Sequence, residues 1–146
     1  MAKPQALRRI AIADDSPAFL AAAAGYIASL PGYVLAGTAS SALDALALVE
    51  SVEPDLLLLD LGLAPMRGLD MVRRVKASLC APAIIALALF YTEETALQAQ
   101  HAGADALIGK EAFVTGLGEV LPRLLRARRL ALAAAEARSS CFGSPD

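Results

Sequence analysis

Tryptophan is absent from this chain of 146 residues, and aromatic residues make up only 5% of it. Proteins that bind single-stranded nucleic acid stack the bases on aromatic side chains, so this composition argues against such a surface. The net charge of −2 also excludes a chain that is basic throughout. A cluster of arginines near the C-terminal end is too short to read a DNA sequence; it comprises Arg123, Arg126, Arg128 and Arg129. We therefore expect no direct binding of nucleic acid by this chain.

Cysteines and long apolar runs are also scarce. The two cysteines, Cys80 and Cys141, have a spacing that fits neither a disulfide framework nor a zinc site. The longest apolar run, residues 80–91, is interrupted by Pro82 and is too short to span a bilayer. The N-terminal residues lack the apolar segment of a signal peptide. These absences predict a reduced, cytoplasmic protein that makes no membrane contact.

The chain alternates short apolar runs with longer helical segments. The predicted strands are 10–13, 33–37, 55–60, 83–89 and 106–109, and the predicted helices are 17–29, 42–51, 69–79, 93–102 and 112–138. The third run is apolar on both faces, which is typical of a central parallel strand covered on both sides. The alternation predicts an α/β fold, a flavodoxin-like (βα)₅ doubly wound parallel sheet with strand order 2-1-3-4-5.

The C-terminal helical segment is longer than a single covering helix needs. We expect a domain over residues 1–121, a C-terminal helix extension or linker over 122–138, and a disordered tail over 139–146. Pro122 sets the first boundary, because proline inside a helix predicts a kink or a new helix start. The favoured interpretation is a fifth covering helix that overruns the domain. A linker to an output domain, or a homodimer contact, is the alternative.

Acidic residues and one lysine follow the predicted strands. Asp14 and Asp15 end the first strand, Asp60 ends the third, and Lys110 follows the fifth. In the order 2-1-3-4-5 the first and third strands are neighbours, so these side chains should converge at one edge of the sheet. Each feature alone has a structural explanation, such as a helix cap or a solvated lysine. Their joint placement favours a functional site.

The chemistry of such a cluster is specific. Carboxylates held close together repel one another, and a hard divalent cation such as Mg²⁺ relieves the repulsion. A carboxylate beside the cation can attack phosphorus and become an acyl phosphate. A lysine ammonium then neutralises charge on the transferring group. The pattern therefore predicts a site for phosphoryl transfer.

The chain carries a series of motifs in a fixed order and spacing, and they are Ala13-Asp14-Asp15-Ser16-Pro17, Leu58-Leu59-Asp60-Leu61-Gly62-Leu63, Met66, Gly68-Leu69, Ala102-Gly103-Ala104-Asp105 and Lys110. On these motifs, over about residues 7–121, the sequence resembles the receiver domains of two-component response regulators. It looks most like receivers that precede a helix-turn-helix DNA-binding domain.

The resemblance implies a role for each matching residue. Asp60 would accept the phosphoryl group from a phosphohistidine on a sensor histidine kinase. Asp15 would bind Mg²⁺ (or Mn²⁺) directly, Asp14 largely through water, and the backbone carbonyl of Gly62 would supply a further oxygen. Lys110 would contact Asp60 and then the phosphoryl group. The protein would be a phosphoacceptor of a phosphorelay rather than an enzyme, with at most self-catalysed transfer and autodephosphorylation.

Two positions depart from the family pattern. The family has serine or threonine at the end of the fourth strand, where this chain has Ala88, which carries no hydroxyl donor. The family's aromatic switch residue in the fifth strand falls at Leu107. Both parts of the usual coupled switch are therefore missing. We expect Asp60 to be phosphorylatable and the response of the output face to be weak or non-standard.

Three functions fit the pattern to different degrees. The first is a signalling receiver, either a single-domain regulator or part of a transcription regulator. The second is a pseudo-receiver that binds partner proteins without phosphorylation, which Ala88 and Leu107 favour and the intact acids oppose. The third, a phosphatase with an aspartate nucleophile, needs a second acid two residues after Asp60. Gly62 occupies that position and argues against it.

Overall fold

Five strands and five α-helices alternate along the chain in a computed structural model that describes residues 8–63 and 66–141. The five strands form one parallel sheet in the order β2-β1-β3-β4-β5, which confirms the predicted flavodoxin-like fold. The elements are β1 (Arg8–Ala13), α1 (Pro17–Ser29), β2 (Tyr33–Ala39), α2 (Ala42–Val52), β3 (Leu56–Asp60), α3 (Gly68–Lys76), β4 (Ala83–Ala88), α4 (Glu93–Ala102), β5 (Ala106–Gly109) and α5 (Phe113–Cys141).

Both faces of the sheet are covered by helices. Leu56 and Leu58 of β3 pack with α1 and α5, whereas Leu57 and Leu59 pack with α2, α3 and α4. All four side chains are fully buried. Leucine is not a strong strand former, and here burial on both faces overrides that propensity. The continuous apolar run therefore places Asp60 at the end of a rigid central strand.

Side chains at the helix starts satisfy backbone N–H groups that have no partner within the helix. Ser16 Oγ accepts a hydrogen bond from Phe19 N, Ser41 Oγ from Asp44 N, and Thr92 Oγ1 from Thr95 N. At the other end of α4, Gly103 adopts φ +114°, a conformation that glycine tolerates without a Cβ clash. These caps fix where α1, α2 and α4 begin and where α4 ends.

The third helix is shorter than its sequence pattern predicts. The prediction extended it to Leu79, but α3 ends at Lys76 and Leu79 is exposed. The Lys76 ammonium bonds to the carbonyl of Pro82 at 2.9 Å and to Asp105 at 2.8 Å. These contacts, together with Ser78 Oγ donating to Val75 O, hold the chain in a turn towards β4.

The last helix is longer and more regular than predicted. α5 runs from Phe113 to Cys141 as one helix with Pro122 inside it, so no new helix starts there. The helix extends to Cys141, into the predicted tail at 139–146, and residues 142–146 lie outside the described residues. Beyond Leu125 the helix carries side chains that are exposed or half-buried as far as residue 138. In the described part of the chain, no helix is both long and apolar enough to cross a membrane.

Candidate phosphoryl-acceptor site

The residues predicted to carry chemistry meet at the carboxyl edge of the sheet. Asp14, Asp15 and Asp60 each place a carboxylate oxygen within 4.8 Å of the other two. The Lys110 ammonium lies 2.6 Å from Asp14 Oδ2 and 3.5 Å from Asp60 Oδ1. The structure thus brings together all four side chains that the strand ends predicted.

Backbone groups form hydrogen bonds with both the main chain and the side chain of Asp14. Its own N–H donates to the carbonyl of Ala39, and its Oδ1 accepts from Ser16 N at 2.8 Å. The side chain has no solvent exposure, and its Oδ2 has no hydrogen-bond partner among the described residues besides the ion pair with Lys110. A fully buried carboxylate oxygen of this kind is costly unless a cation compensates it. The neighbouring Asp15 is exposed.

Asp60 occupies the last position of β3 and is 7% exposed. Its Oδ1 accepts a hydrogen bond from the N–H of Gly62 at 3.2 Å, and its carbonyl accepts one from Leu63 N. The following loop is closed by Gly68, whose N–H donates to Leu61 O at 3.1 Å. A Cβ at Gly68 would lie 2.2 Å from the Leu61 backbone, so only glycine allows this close approach.

Burial and neighbouring groups shift the pKa values of Asp60 and Lys110, and some of these influences act in opposite directions. Burial raises the pKa of Asp60 above its ordinary value of 3.8, and the Asp14 carboxylate adds to this, while the Gly62 N–H and Lys110 act against it. Burial acts to lower the pKa of Lys110, but the Asp14 and Asp60 carboxylates outweigh it and raise that pKa above 10.5. Lys110 is therefore a firmly protonated cation facing a carboxylate that is costly to ionise.

The donor set fits a hard divalent cation. Three carboxylates face a single ammonium, and their oxygens are the ligand type that Mg²⁺ takes together with water and phosphate oxygens. Asp14 Oδ2 is buried beside Lys110, and the Asp14 carboxylate contributes, after burial, to the raised pKa of Asp60, so a second cation would relieve the remaining repulsion between the acids. The side chains present are thus suited to hold Mg²⁺.

The two positions that depart from the family pattern flank this site. Ala88 is the last residue of β4, pairs with Gly109 and leaves a methyl group where a hydroxyl is expected. Leu107 lies in β5, pairs with Ala86 and packs against the cluster beneath α2, α3 and α4. Ala88 thus ends the fourth strand and Leu107 lies in the fifth, as the family pattern predicts.

Phe19 is a site residue that the sequence reasoning missed. The Lys110 ammonium lies 4.8 Å from the centroid of its ring. The ring in turn meets Phe113 edge-on, with centroids 5.1 Å apart and an interplanar angle of 76°. The one signal in the sequence is the position of Phe19 in the first turn after the Ser16 cap. α1 is apolar around much of its surface, so periodicity does not show which side chain faces the site.

Comparisons with known proteins agree with this arrangement. Residues 10–120 match the family model described as "Response regulator receiver domain". The chain is 37% identical over 119 residues to a protein-glutamate methylesterase/protein-glutamine glutaminase of Cereibacter sphaeroides, covering 81% of this chain and 32% of that protein. It is 35% identical over 127 residues to the transcriptional regulatory protein KdpE of Mycobacterium tuberculosis, covering 87% and 54%.

A solved structure shows the same similarity in three dimensions. The crystal structure of a LuxR-family two-component response regulator from Aurantimonas superposes with a TM-score of 0.77 at 25% identity, covering 91% of this chain and 99% of that one. The chain spans between about a third and about a half of the length of the two curated relatives it matches here. The similarity therefore concerns one module of those longer proteins.

Proposed function

Because the chain belongs to the response regulator receiver family of two-component systems, we propose that it accepts a phosphoryl group on Asp60 from a sensor histidine kinase. The observation that carries this proposal is the convergence of three carboxylates and Lys110 at one sheet edge. An Asp60 carboxylate oxygen forms a bond to phosphorus as the bond from phosphorus to the kinase histidine nitrogen breaks. The electron pair of that bond stays on the imidazole, and Asp60 becomes an acyl phosphate.

The other residues of the site would bind the cation, supply positive charge and orient Asp60. Asp14, Asp15 and Asp60 would hold Mg²⁺ (or Mn²⁺) through carboxylate oxygens, with the Gly62 carbonyl as a further ligand. The cation supplies charge neutralisation for the transferring phosphoryl group. Lys110 is within reach of Asp60 and carries a positive charge for the phosphoryl oxygens. The Gly62 N–H orients the attacking carboxylate by its hydrogen bond to Oδ1.

The downstream role is proposed on narrower grounds. Ala88 offers no hydroxyl to a phosphoryl oxygen, and Leu107 offers no aromatic ring to move with it. In receivers with the usual hydroxyl and aromatic switch residues, phosphorylation moves the fourth and fifth strands. We expect a smaller movement of these strands in this chain. The protein would act in the cytoplasm, as a single-domain regulator or as part of a transcription regulator, and pair with an output domain or a second copy. The esterase activity named for one relative belongs to a longer protein, of which the match covers only 32%, and is not assigned to this chain.

Intact-mass measurement tests the proposal. The protein is incubated with acetyl phosphate and Mg²⁺, and the mass is recorded over time. One added phosphoryl group is expected, at a rate that falls roughly tenfold or more when the divalent cation is removed with EDTA. No mass gain together with no Mg²⁺ binding by calorimetric titration would overturn the proposal and favour a pseudo-receiver that acts by protein binding alone.

A further inference from the structure

We propose that Phe19 is a positioning residue for Lys110. The ring face contacts the ammonium, which the carboxylates of Asp14 and Asp60 also attract. This inference rests on the proposed function, because Lys110 matters most when a phosphoryl group arrives at Asp60. It adds a residue on α1 that no motif of the sequence indicated.

The first step of the argument is the geometry around the ammonium. Lys110 Nζ lies 4.8 Å from the Phe19 ring centroid, within the range in which a cation is attracted by the negative face of an aromatic ring. The same nitrogen lies 2.6 Å from Asp14 Oδ2. The Lys110 side chain is only 17% exposed, so water weakens the attraction less than it would at the surface. The end of this long flexible side chain is thus contacted by both a carboxylate and an aromatic ring.

The second step is what fixes the ring itself. Phe19 N donates to Ser16 Oγ at 3.2 Å, and Ser16 N donates to Asp14 Oδ1 at 2.8 Å. One turn of chain therefore positions both the carboxylate that pairs with Lys110 and the ring that contacts the same ammonium. Asp14, Ser16, Phe19 and Lys110 thus form a closed ring of contacts, in which each residue contacts the next and Lys110 contacts Asp14.

Phe19 also contacts the segment that follows β5. Phe113 begins α5, three residues after Lys110, and its ring meets Phe19 edge-on at 5.1 Å. Edge-on aromatic pairs are favourable beyond the area they bury. Phe19 thus contacts the segment that carries Lys110 at two points, its ammonium and the start of the next helix. The loop after β1 and the loop after β5 are positioned relative to each other through this ring.

Substitutions at Phe19 test the proposal through the initial rate of phosphorylation by acetyl phosphate in saturating Mg²⁺. Phe19→Leu keeps an apolar side chain but removes the ring, and the rate is expected to fall roughly threefold to tenfold. Phe19→Trp restores an aromatic face and is expected to recover most of the rate. Tyr26→Leu is the matched control, because Tyr26 meets the same Phe113 ring at 6.1 Å without a described contact to Lys110. It should lower the melting temperature and leave the rate unchanged.

A double-mutant cycle separates positioning from general packing. In a Lys110→Met background, Phe19→Leu should leave the remaining rate unchanged, although its effect on melting temperature persists. A Phe19→Leu rate equal to that of the unmodified protein, or a Phe19→Trp rate no better than that of Phe19→Leu, would overturn the proposal. A further loss of rate in the Lys110→Met background would also overturn it.

Nuclear magnetic resonance keeps the test independent of the proposed function. Protons on the Lys110 ε-carbon lie near the ring face, so their resonances should be shifted upfield and should return towards ordinary values in Phe19→Leu. If the unmodified protein accepted no phosphoryl group, the proposed function would fail while this measurement still decided the contact. Unshifted Lys110 resonances in a phosphorylatable protein would contradict the role of Phe19 alone.

Discussion

Replacing Asp60 with asparagine is expected to abolish the mass gain from acetyl phosphate and to raise the melting temperature. Asparagine keeps the volume of the side chain and an oxygen that can accept the hydrogen bond from Gly62 N. It removes the anionic oxygen that attacks phosphorus. It also removes an ionised group that burial and the Asp14 carboxylate make costly. Function and stability should therefore change in opposite directions.

The sign of the stability effect follows from the direction of the pKa shift. The pKa of Asp60 is raised above 3.8 in the folded protein, so the folded state binds that proton more tightly than the unfolded chain does. The contribution of Asp60 to stability is present below pH 3.8 and is lost as the pH rises through the folded pKa. The advantage of Asp60→Asn should be small near the acidic end and reach its full size at neutral pH.

Thermal unfolding across this pH range measures the effect. A change of 1 kcal/mol shifts the melting temperature of a domain of this size by about 2–4 °C, so a rise of a few degrees is expected at pH 7 without divalent cation. Added Mg²⁺ should narrow the gap, because it stabilises the unmodified protein more. Asp70→Asn is the matched control: Asp70 forms an exposed pair with Arg73, and its loss should alter neither rate nor stability appreciably. A lower melting temperature for Asp60→Asn at every pH would contradict the electrostatic account.

Replacing Lys110 with methionine is expected to slow phosphorylation and to destabilise the fold. Methionine keeps an unbranched chain of similar length but has no charge. The transferring phosphoryl group then lacks one fixed cation, and the loss of a single such contact typically slows a reaction by about 100-fold or more. Asp14, which is fully buried, is left without its ion-pair partner at 2.6 Å. Breaking a buried pair from one side costs about 3–5 kcal/mol.

The matched control for Lys110 is arginine. Lys110→Arg keeps the positive charge beside Asp14, so its melting temperature should stay closer to that of the unmodified protein. The planar guanidinium does not reproduce a compact ammonium, so the rate should recover only in part. Mg²⁺ should restore part of the stability of Lys110→Met, because the cation also compensates Asp14. A Lys110→Met protein with unchanged rate and unchanged melting temperature would show that the ion pair has neither role.

Much of the fold follows from local patterns in the sequence. The apolar run before Asp60 is too short for a helix and is bounded by residues that break regular structure, so its strand character and its central place follow directly. The caps at Ser16 and Thr92 are readable because a hydroxyl precedes each helical pattern. The positions of the acids then follow from topology, since parallel strands end at one edge.

Tertiary packing explains where the local patterns fail. Pro122 predicts a break, yet α5 continues because buried Leu117, Leu121 and Leu125 hold the helix on the sheet on both sides of the proline. The residue four positions before Pro122 is Gly118, which has no side chain to add to the crowding of the proline ring. Periodicity counts apolar residues but does not weigh these packing energies.

The contacts of the site are less predictable than its members. The sequence places Asp14, Asp60 and Lys110 at one edge, but it does not reveal that Lys110 lies closer to Asp14 than to Asp60. The sequence also does not reveal the position of the Phe19 ring, because its place beside the ammonium depends on how α1 packs against the start of α5. Such distances depend on the relative positions of elements that lie far apart in the chain.

The most direct test of the central claim is chemical mapping of the phosphoryl group. The protein is phosphorylated with acetyl phosphate and Mg²⁺, treated with sodium borohydride to reduce the acyl phosphate to an alcohol, digested, and sequenced by tandem mass spectrometry. The account predicts conversion of Asp60, and of no other aspartate, to homoserine. A homoserine at Asp14 or Asp15, or none in a protein that has gained the mass of a phosphoryl group, would contradict it.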